Sequence, residues 1–216
     1  MRIVITGVTR GLGKALAEGF SQKGHAVFGC GRAVKGPDSS VVYREVDVSD
    51  EAQVRSWAQS MDGPPDILVS NAAAVNKPSP LWEVPSREFS DVVDVNLKGM
   101  FYVLRHFVPG MVRRKKGIIV NISSGWGRSA GARFGPYCAT KFAVEGLTKS
   151  LAAELPRGMA AVPLNPGVID TDMLKTCFGK AEAAAYPSAE RWAEAAMPLI
   201  LGLGPKDNGR SLSVSI

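Results

Sequence analysis

Tyr137 and Lys141 stand four residues apart in a stretch, Phe134–Leu155, whose pattern predicts a helix, so both side chains leave one face about one turn apart. A free tyrosine hydroxyl titrates near pH 10 and is a sluggish acid or base at neutrality. A nearby ammonium favours the phenolate and lowers that value, each pKa unit being worth about 1.4 kcal/mol. Such a pair can move a proton to or from a carbonyl oxygen while a redox carrier moves the hydride. Ser124, in Asn121-Ile122-Ser123-Ser124-Gly125, ends a predicted strand and can hold the same oxygen by hydrogen bonding. Tyr-x3-Lys alone also suits an ordinary surface contact; its meaning depends on its company.

That company lies near the N-terminus. Thr6-Gly7-Val8-Thr9-Arg10-Gly11-Leu12-Gly13 joins a β-branched run to a helical pattern in which Leu12, Leu16 and Phe20 recur every four residues. A phosphate seated at such a junction needs backbone N–H groups and the positive end of a helix dipole, with no side chains in the way. Glycines provide the turn, the close approach and the helix–sheet contact. A P-loop is disfavoured, because five residues separate Gly7 from Gly13 and Ala15 follows Lys14 where a hydroxyl is required. A methyltransferase-type nucleotide site and a purely structural turn stay open on the loop alone. The next strand narrows the choice. It ends Phe28-Gly29-Cys30-Gly31-Arg32, with no acid for a ribose 2′-hydroxyl until Asp38. Arg32 and Arg10 can instead converge on a 2′-phosphate through charge-assisted bonds, which predicts NADP(H).

The elements that must position these groups follow from hydrophobic spacing. Strands are predicted at Arg2–Thr6, Ala26–Cys30, Val41–Val46, Ile67–Ser70, Gly117–Ile122, Ala160–Leu164 and Leu212–Ile216. Helices are predicted at Gly11–Lys23, Ser86–Arg114, Phe134–Leu155 and Ser188–Leu201, with another opened by Asp50 as N-cap and carrying Val54, Trp57 and Met61. Strands alternating with helices imply an α/β fold, a doubly wound parallel sheet of Rossmann type, with residues 1–216 as a single domain. One link is short. About ten residues, Gly31–Ser40, join the second and third strands and contain Gly36-Pro37, so the helix of that crossover is reduced to a loop.

Composition sets the outer bounds. The chain has 216 residues, 45% hydrophobic and 21% charged, which suits one domain and disfavours disordered, collagen-like or disulfide-scaffold classes. Cys30, Cys138 and Cys177 form no CxxC pair, and only His25 and His106 are available to join them, so neither a metal site nor a disulfide framework is expected. The net charge is +6, yet the densest basic run, Arg113-Arg114-Lys115-Lys116, ends a helical pattern, where cations complement the macrodipole. No nucleic-acid motif accompanies it. With no apolar run of membrane length and no leader before the first strand, a soluble, cytoplasmic protein with neither nucleic-acid nor membrane partners is expected.

Jointly, from Arg2 to about Met173, these motifs resemble the short-chain dehydrogenase/reductase family. The likeness rests on Thr6-Gly-x3-Gly-x-Gly13, Asp47-Val48, Asn71-Ala72, Asn96, Ser124, Tyr137/Lys141 and Asn165-Pro166-Gly167-Val168-Ile169-Asp170-Thr171. The resemblance implies that Tyr137 is the general acid/base, Ser124 the carbonyl holder, and Lys141 both a tuner of Tyr137 and a ligand of the nicotinamide ribose. It implies that Asn96 anchors a water relay to Lys141. Asp47 and Val48 would contact adenine, Asn71, Ala72 and Ala73 line the cofactor groove, and Pro166, Gly167, Val168, Ile169 and Thr171 cover the nicotinamide. Gly7, Thr9, Arg10, Gly11, Leu12, Gly13 and Arg32 complete the cofactor set. Trp126, Phe134 and Met173 are candidate walls for a small carbonyl or alcohol substrate, and the family pattern implies a homodimer or homotetramer through the Ser86 and Phe134 helices. The chain departs from the pattern at Ser70-Asn71-Ala72-Ala73, where Asn-Asn-Ala-Gly is usual, and in brief segments after Thr171 and at the terminus. The expected function is NADP(H)-dependent carbonyl/alcohol interconversion; a catalytically silent NADP-binding sensor on the same fold is the alternative.

Overall fold

The computed structural model describes residues 1–37 and 40–216; Asp38 and Ser39, inside the short crossover, lie outside the described residues. The strands are β1 (Arg2–Thr6), β2 (Ala26–Gly31), β3 (Val42–Glu45), β4 (Ile67–Ser70), β5 (Gly117–Ile122), β6 (Met159–Asn165) and β7 (Leu212–Ser213). They form one seven-stranded sheet in the order β3-β2-β1-β4-β5-β6-β7, each neighbouring pair parallel. Winding reverses between β1 and β4, and a crevice opens beyond the carboxyl ends of strands at such a switch point.

The apolar runs are buried on both faces, as a parallel sheet requires. Ile3, Ile5, Ile67, Val69 and Val120 point to one face and meet Leu16 and Phe20 of α1 (Gly11–Gln22) and Trp192 and Ile200 of α8 (Ala189–Leu201). Their alternates Val4, Leu68 and Ile119 point to the other and meet Trp57 of α2 (Glu51–Gln59) and Phe107 and Met111 of α4 (Met100–Arg114). Trp57 and Phe107 pack edge to face at 5.0 Å. Each fully buried side chain of this size is worth about 1.5–3 kcal/mol, so the sheet is a rigid platform for what its carboxyl edge carries.

Several boundaries differ from expectation, each for a physical reason. The predicted helix Ser86–Arg114 is α3 (Ser86–Val93), a π-helical turn over Asp94–Gly99, and α4. Such a turn is often found at functional sites. Asp50 caps α2 as predicted, accepting from the Ala52 and Gln53 amides. The basic run sits at the α4 C-terminus, where Arg114 also pairs with Asp66 at 3.2 Å. Between β2 and β3 there is no helix among the described residues; the Tyr43 hydroxyl instead donates to the carbonyls of Gly31 and Ala33. Two helices were not predicted, α6 (Asp172–Phe178) and α7 (Lys180–Ala183). No α6 residue is fully buried, so it carries no strong apolar period. The last strand stops at Ser213, short of Ile216. Among the described residues no helix is long and apolar enough to cross a membrane.

Candidate active site

The carboxyl ends of β1, β4, β5 and β6 open on a cleft of about 1060 Å³. At its floor the turn after β1 is bare backbone. Gly7 has φ +71°, and a Cβ on it would lie 2.9 Å from the Ala72 Cα. A Cβ on Gly13 would come within 2.2 Å of the Gly7 carbonyl oxygen and 2.3 Å of Asn71 Nδ2. The turn is braced from β4: Asn71 Nδ2 donates to the Thr6 and Gly7 carbonyls at 2.8 and 3.2 Å, while Thr6 Oγ1 accepts the Asn71 and Ala72 amides at 2.9 Å. This cradle, at the N-terminus of a 12-residue helix, fits a dinucleotide pyrophosphate. Ala73 lies on the cleft wall outside the left-handed region of backbone space, so its methyl group adds no backbone strain where glycine is usual.

One end of the cleft is cationic. Arg10, Arg32 and Lys35 line it; Arg32 and Lys35 are exposed, and Arg10 Nη1 lies 4.0 Å from Asp172, a loose surface pair of small energetic weight. Lys35 was missed by sequence reading, though it is a third cation just beyond Arg32.

Elsewhere on the cleft stand the residues expected to react, placed by one face of α5 (Gly135–Glu154) against the end of β5. Tyr137 is buried, and the Ser124 hydroxyl stands on the side of its hydroxyl, where it favours the phenolate. The Ser124 hydroxyl in turn accepts the Trp126 amide at 3.1 Å. Lys141 is 3% exposed; its Nζ donates to the Ile122 carbonyl at 2.7 Å and lies 5.5 Å from the Tyr137 ring centroid. Burial pushes the ammonium down to about 8, so it stays charged at neutral pH. For Tyr137 the expected lowering does not dominate in the free protein: burial raises the phenol above its usual value, and the Ser124 hydroxyl only partly opposes this. The Tyr137 hydroxyl therefore carries its proton at neutrality, the state a proton donor needs.

Asn96, in the π-helical turn, is 3% exposed, not on an outer helix face. Its Oδ1 accepts the Ala74 amide at 2.7 Å, and its Nδ2 donates to the Ala74 carbonyl at 2.8 Å and Thr140 Oγ1 at 3.0 Å. A cavity of about 10 Å³ lies between it and Lys141.

Above Tyr137 stands an aromatic wall. Trp126 and Phe134 stack at 4.8 Å, Trp126 meets the Tyr137 ring edge-on at 6.1 Å, and Phe178 of α6 tilts against Trp126 and Phe134 at 5.9 and 6.1 Å. Met173, Leu174, Cys177 and Phe178 bring α6 over the cleft. Burial pushes the Cys177 thiol up to about 11, which keeps it protonated and a poor nucleophile.

Thr9, Gly11, Leu12, Asp47, Val48, Pro166, Gly167, Val168, Ile169 and Thr171 all line the cleft, as do Gly7, Asn71 and Ala72. Three predicted residues do not. Gly13 lies beneath the loop, Asn96 behind Lys141, and Phe134 behind Trp126. Val75, Cys177, Phe178 and Tyr186 face the cleft but were not predicted, because the helix that carries two of them was not.

Comparison with known proteins agrees with this geometry. A family model described as short chain dehydrogenase matches residues 1–182. An NADPH-dependent pterin aldehyde reductase of Arabidopsis thaliana is 45% identical, over 98% of this chain and 92% of that protein. A 3-oxoacyl-[acyl-carrier-protein] reductase of Staphylococcus aureus is 34% identical, over 79% of this chain and 75% of that one. Among solved structures, ElxO with NADP bound superposes with a TM-score of 0.88 at 25% identity, covering 99% of this chain and 96% of that one. The closed form of serine dehydrogenase complexed with NADP+ also scores 0.88, at 26% identity, covering 99% and 94%. The chain belongs to the short-chain dehydrogenase family. It is an NADP(H)-dependent oxidoreductase acting on a carbonyl/alcohol pair.

Proposed function

We propose that this chain reduces a planar aromatic aldehyde with NADPH, Tyr137 supplying the proton. The observation that carries the reading is the Tyr137–Ser124 hydroxyl pair at the foot of the Trp126/Phe178 wall. A flat π-system placed against that wall gains area and edge or stacking contacts, and 45% identity to a pterin aldehyde reductase points to a nitrogenous bicyclic aldehyde.

The chain's residues divide the work as follows. The Gly7–Gly13 turn and the α1 N-terminus hold the pyrophosphate, and Arg10, Arg32 and Lys35 hold the 2′-phosphate. Asp47 and Val48 flank the adenine; Asn71, Ala72 and Ala73 with Pro166, Gly167, Val168, Ile169 and Thr171 enclose the nicotinamide half. Bound NADPH supplies the hydride. Ser124 orients the carbonyl oxygen by hydrogen bonding, and Tyr137 donates its proton to that oxygen. Lys141 binds the ribose and keeps positive charge beside the phenolate that Tyr137 becomes. The cavity between Asn96 and Lys141 is about the size of one water, which supports a proton relay from Asn96.

Residues 1–216 then act as one catalytic domain, with a small-molecule substrate and neither nucleic acid nor membrane as partner. Three free cysteines suit a reducing compartment, the cytoplasm. Phe101 of α4 and Phe142 and Leu147 of α5 are 45%, 48% and 38% exposed, which supports a homodimer or homotetramer through those helices. Light scattering should give a multiple of the chain mass; a monomer at micromolar concentration rejects this assembly. Turnover of a bicyclic aldehyde with NADPH tests the substrate class. Aliphatic carbonyls turned over as efficiently as the bicyclic aldehyde would reject it.

A further inference from the structure

The face of α5 that carries Tyr137 and Lys141 continues one turn further to a buried carboxylate. Glu145 is 5% exposed, and each of its oxygens is engaged. Oε1 accepts the Ser123 hydroxyl at 2.7 Å and Arg128 Nε at 2.9 Å; Oε2 accepts the Ser211 hydroxyl at 2.6 Å. Lys149 Nζ, from the exposed side of the helix, stands 3.8 Å from Oε2. Ser123 immediately precedes Ser124 and Arg128 follows it by four, so one carboxylate oxygen grips both ends of the turn that presents the Ser124 hydroxyl.

The turn is also gripped from its other sides. Arg128 reaches past Glu145 to the Leu212 carbonyl at 2.8 Å and the Ser213 hydroxyl at 3.0 Å. Gly127 lies flat on α5: a Cβ there would come within 2.7 Å of the Lys141 carbonyl oxygen and 2.9 Å of Ser123 Oγ. The Ser123 amide donates to the Leu164 carbonyl of β6 at 2.8 Å. A carboxylate this buried is costly unless fully paired, and here two hydroxyls and the Arg128 guanidinium donate to it. The three bonds are directional, and they join the helix of Tyr137, the turn of Ser124 and the β7 edge at a single side chain.

We propose that Glu145 is a positioning residue of the reaction: by clamping Ser123 and Arg128 it aims the Ser124 hydroxyl at the oxygen that Tyr137 protonates. It touches neither substrate nor cofactor. The Ser124 hydroxyl must be held within a fraction of an ångström to act on a transition state, and a shell residue locked by hydrogen bonds is what holds it there. Glu145→Gln keeps the size and an acceptor oxygen but loses the charge that draws in Arg128. It is predicted to lower kcat about 10-fold while leaving KM for NADPH within about 2-fold.

A general loss of stability would also lower kcat, so the decisive experiment is a double-mutant cycle with single-turnover NADPH oxidation and NADPH fluorescence titration. On a Ser124→Ala background, where no hydroxyl remains to be aimed, Glu145→Gln is predicted to cost less than about 2-fold in rate. An equal loss with and without the Ser124 hydroxyl overturns the proposal, as does an unchanged kcat in Glu145→Gln alone. Should Glu145→Gln fail to fold, Ser123→Ala removes only one donor to the same carboxylate. It must then show the same dependence on Ser124, and independence from Ser124 overturns the proposal equally.

Discussion

Burial, more than pairing, sets the protonation of the two groups that the sequence picks out first. The Tyr137 phenol is raised and the Lys141 ammonium lowered, both chiefly by desolvation. The consequence for stability has a definite sign. Below about pH 8 both folded and unfolded chains hold the Lys141 proton, and the cost of burying it is present in full. Between about pH 8 and 10 the folded protein has released that proton and the unfolded chain has not, so stability rises with pH in that window. Tyr137 works against it above about pH 10, where only the unfolded chain deprotonates. The free wild-type protein is therefore predicted to gain thermal stability between about pH 8 and 10 relative to a Lys141→Met variant. Parallel melting curves across that range would count against it. Removing the Ser124 hydroxyl, by Ser124→Ala, is predicted to lower kcat by roughly 10²–10³-fold, the usual cost of one oxygen-holding donor, with NADPH affinity kept.

At the level of single elements, the loops between strands and helices do what the glycines and the buried amides dictate. Gly13→Ala would drive a methyl group into the Gly7 carbonyl and Asn71. It is predicted to weaken NADPH binding more than 10-fold, read by titration, with a lowered Tm. Asn96→Leu would leave the Ala74 amide and carbonyl without their side-chain partner and remove the donor to Thr140 Oγ1, which keeps its bond to the Tyr137 carbonyl; a loss of about 3 kcal/mol is predicted by denaturant unfolding. These two elements differ in how they could be read. The Gly7–Gly13 turn was legible because its residue types have few other uses at a strand–helix junction. The π-helical turn was not, since an extra residue shows only as a phase shift in the apolar period, and α3, with Val92 its one buried residue, is too short to set a phase; the placement of Asn96 between Val95 and Leu97 hinted at burial. The α6 helix escaped for a related reason: it rides over the cleft with no fully buried residue, so Thr171, whose hydroxyl accepts the Leu174 amide at 3.3 Å, was its one clear signal.

Across the whole molecule, the doubly wound parallel sheet follows from the alternation of short apolar runs and helical patterns, and that class of fold was legible; the strand order β3-β2-β1-β4-β5-β6-β7 came from the structure. What the order of residues did not disclose is contact between distant segments. Glu145 reads as one more polar residue on a helix, yet it ties Ser123 to Ser211 across the sheet edge. Phe178 belongs to no motif and is 41% exposed, yet it completes the wall above Tyr137. The +6 charge is likewise resolved by place: Arg10, Arg32 and Lys35 edge the cleft, while Arg114 is spent on Asp66. A ligand that binds only the folded state raises its stability, by about 2.7 kcal/mol at one hundred times its Kd. NADPH is accordingly predicted to raise Tm at concentrations where NADH has little effect, and an equal response to both would remove the phosphate role of the arginines.

The measurement that bears hardest on this account is single-turnover oxidation of NADPH in the presence of a bicyclic aromatic aldehyde, run with wild type and Tyr137→Phe, each first shown to bind NADPH. The wild type is predicted to convert the aldehyde to its alcohol. The variant should bind NADPH equally well and lose at least about 10³-fold in rate, because a proton donor is gone from a site otherwise intact. A Tyr137→Phe enzyme that turns over at the wild-type rate would contradict it.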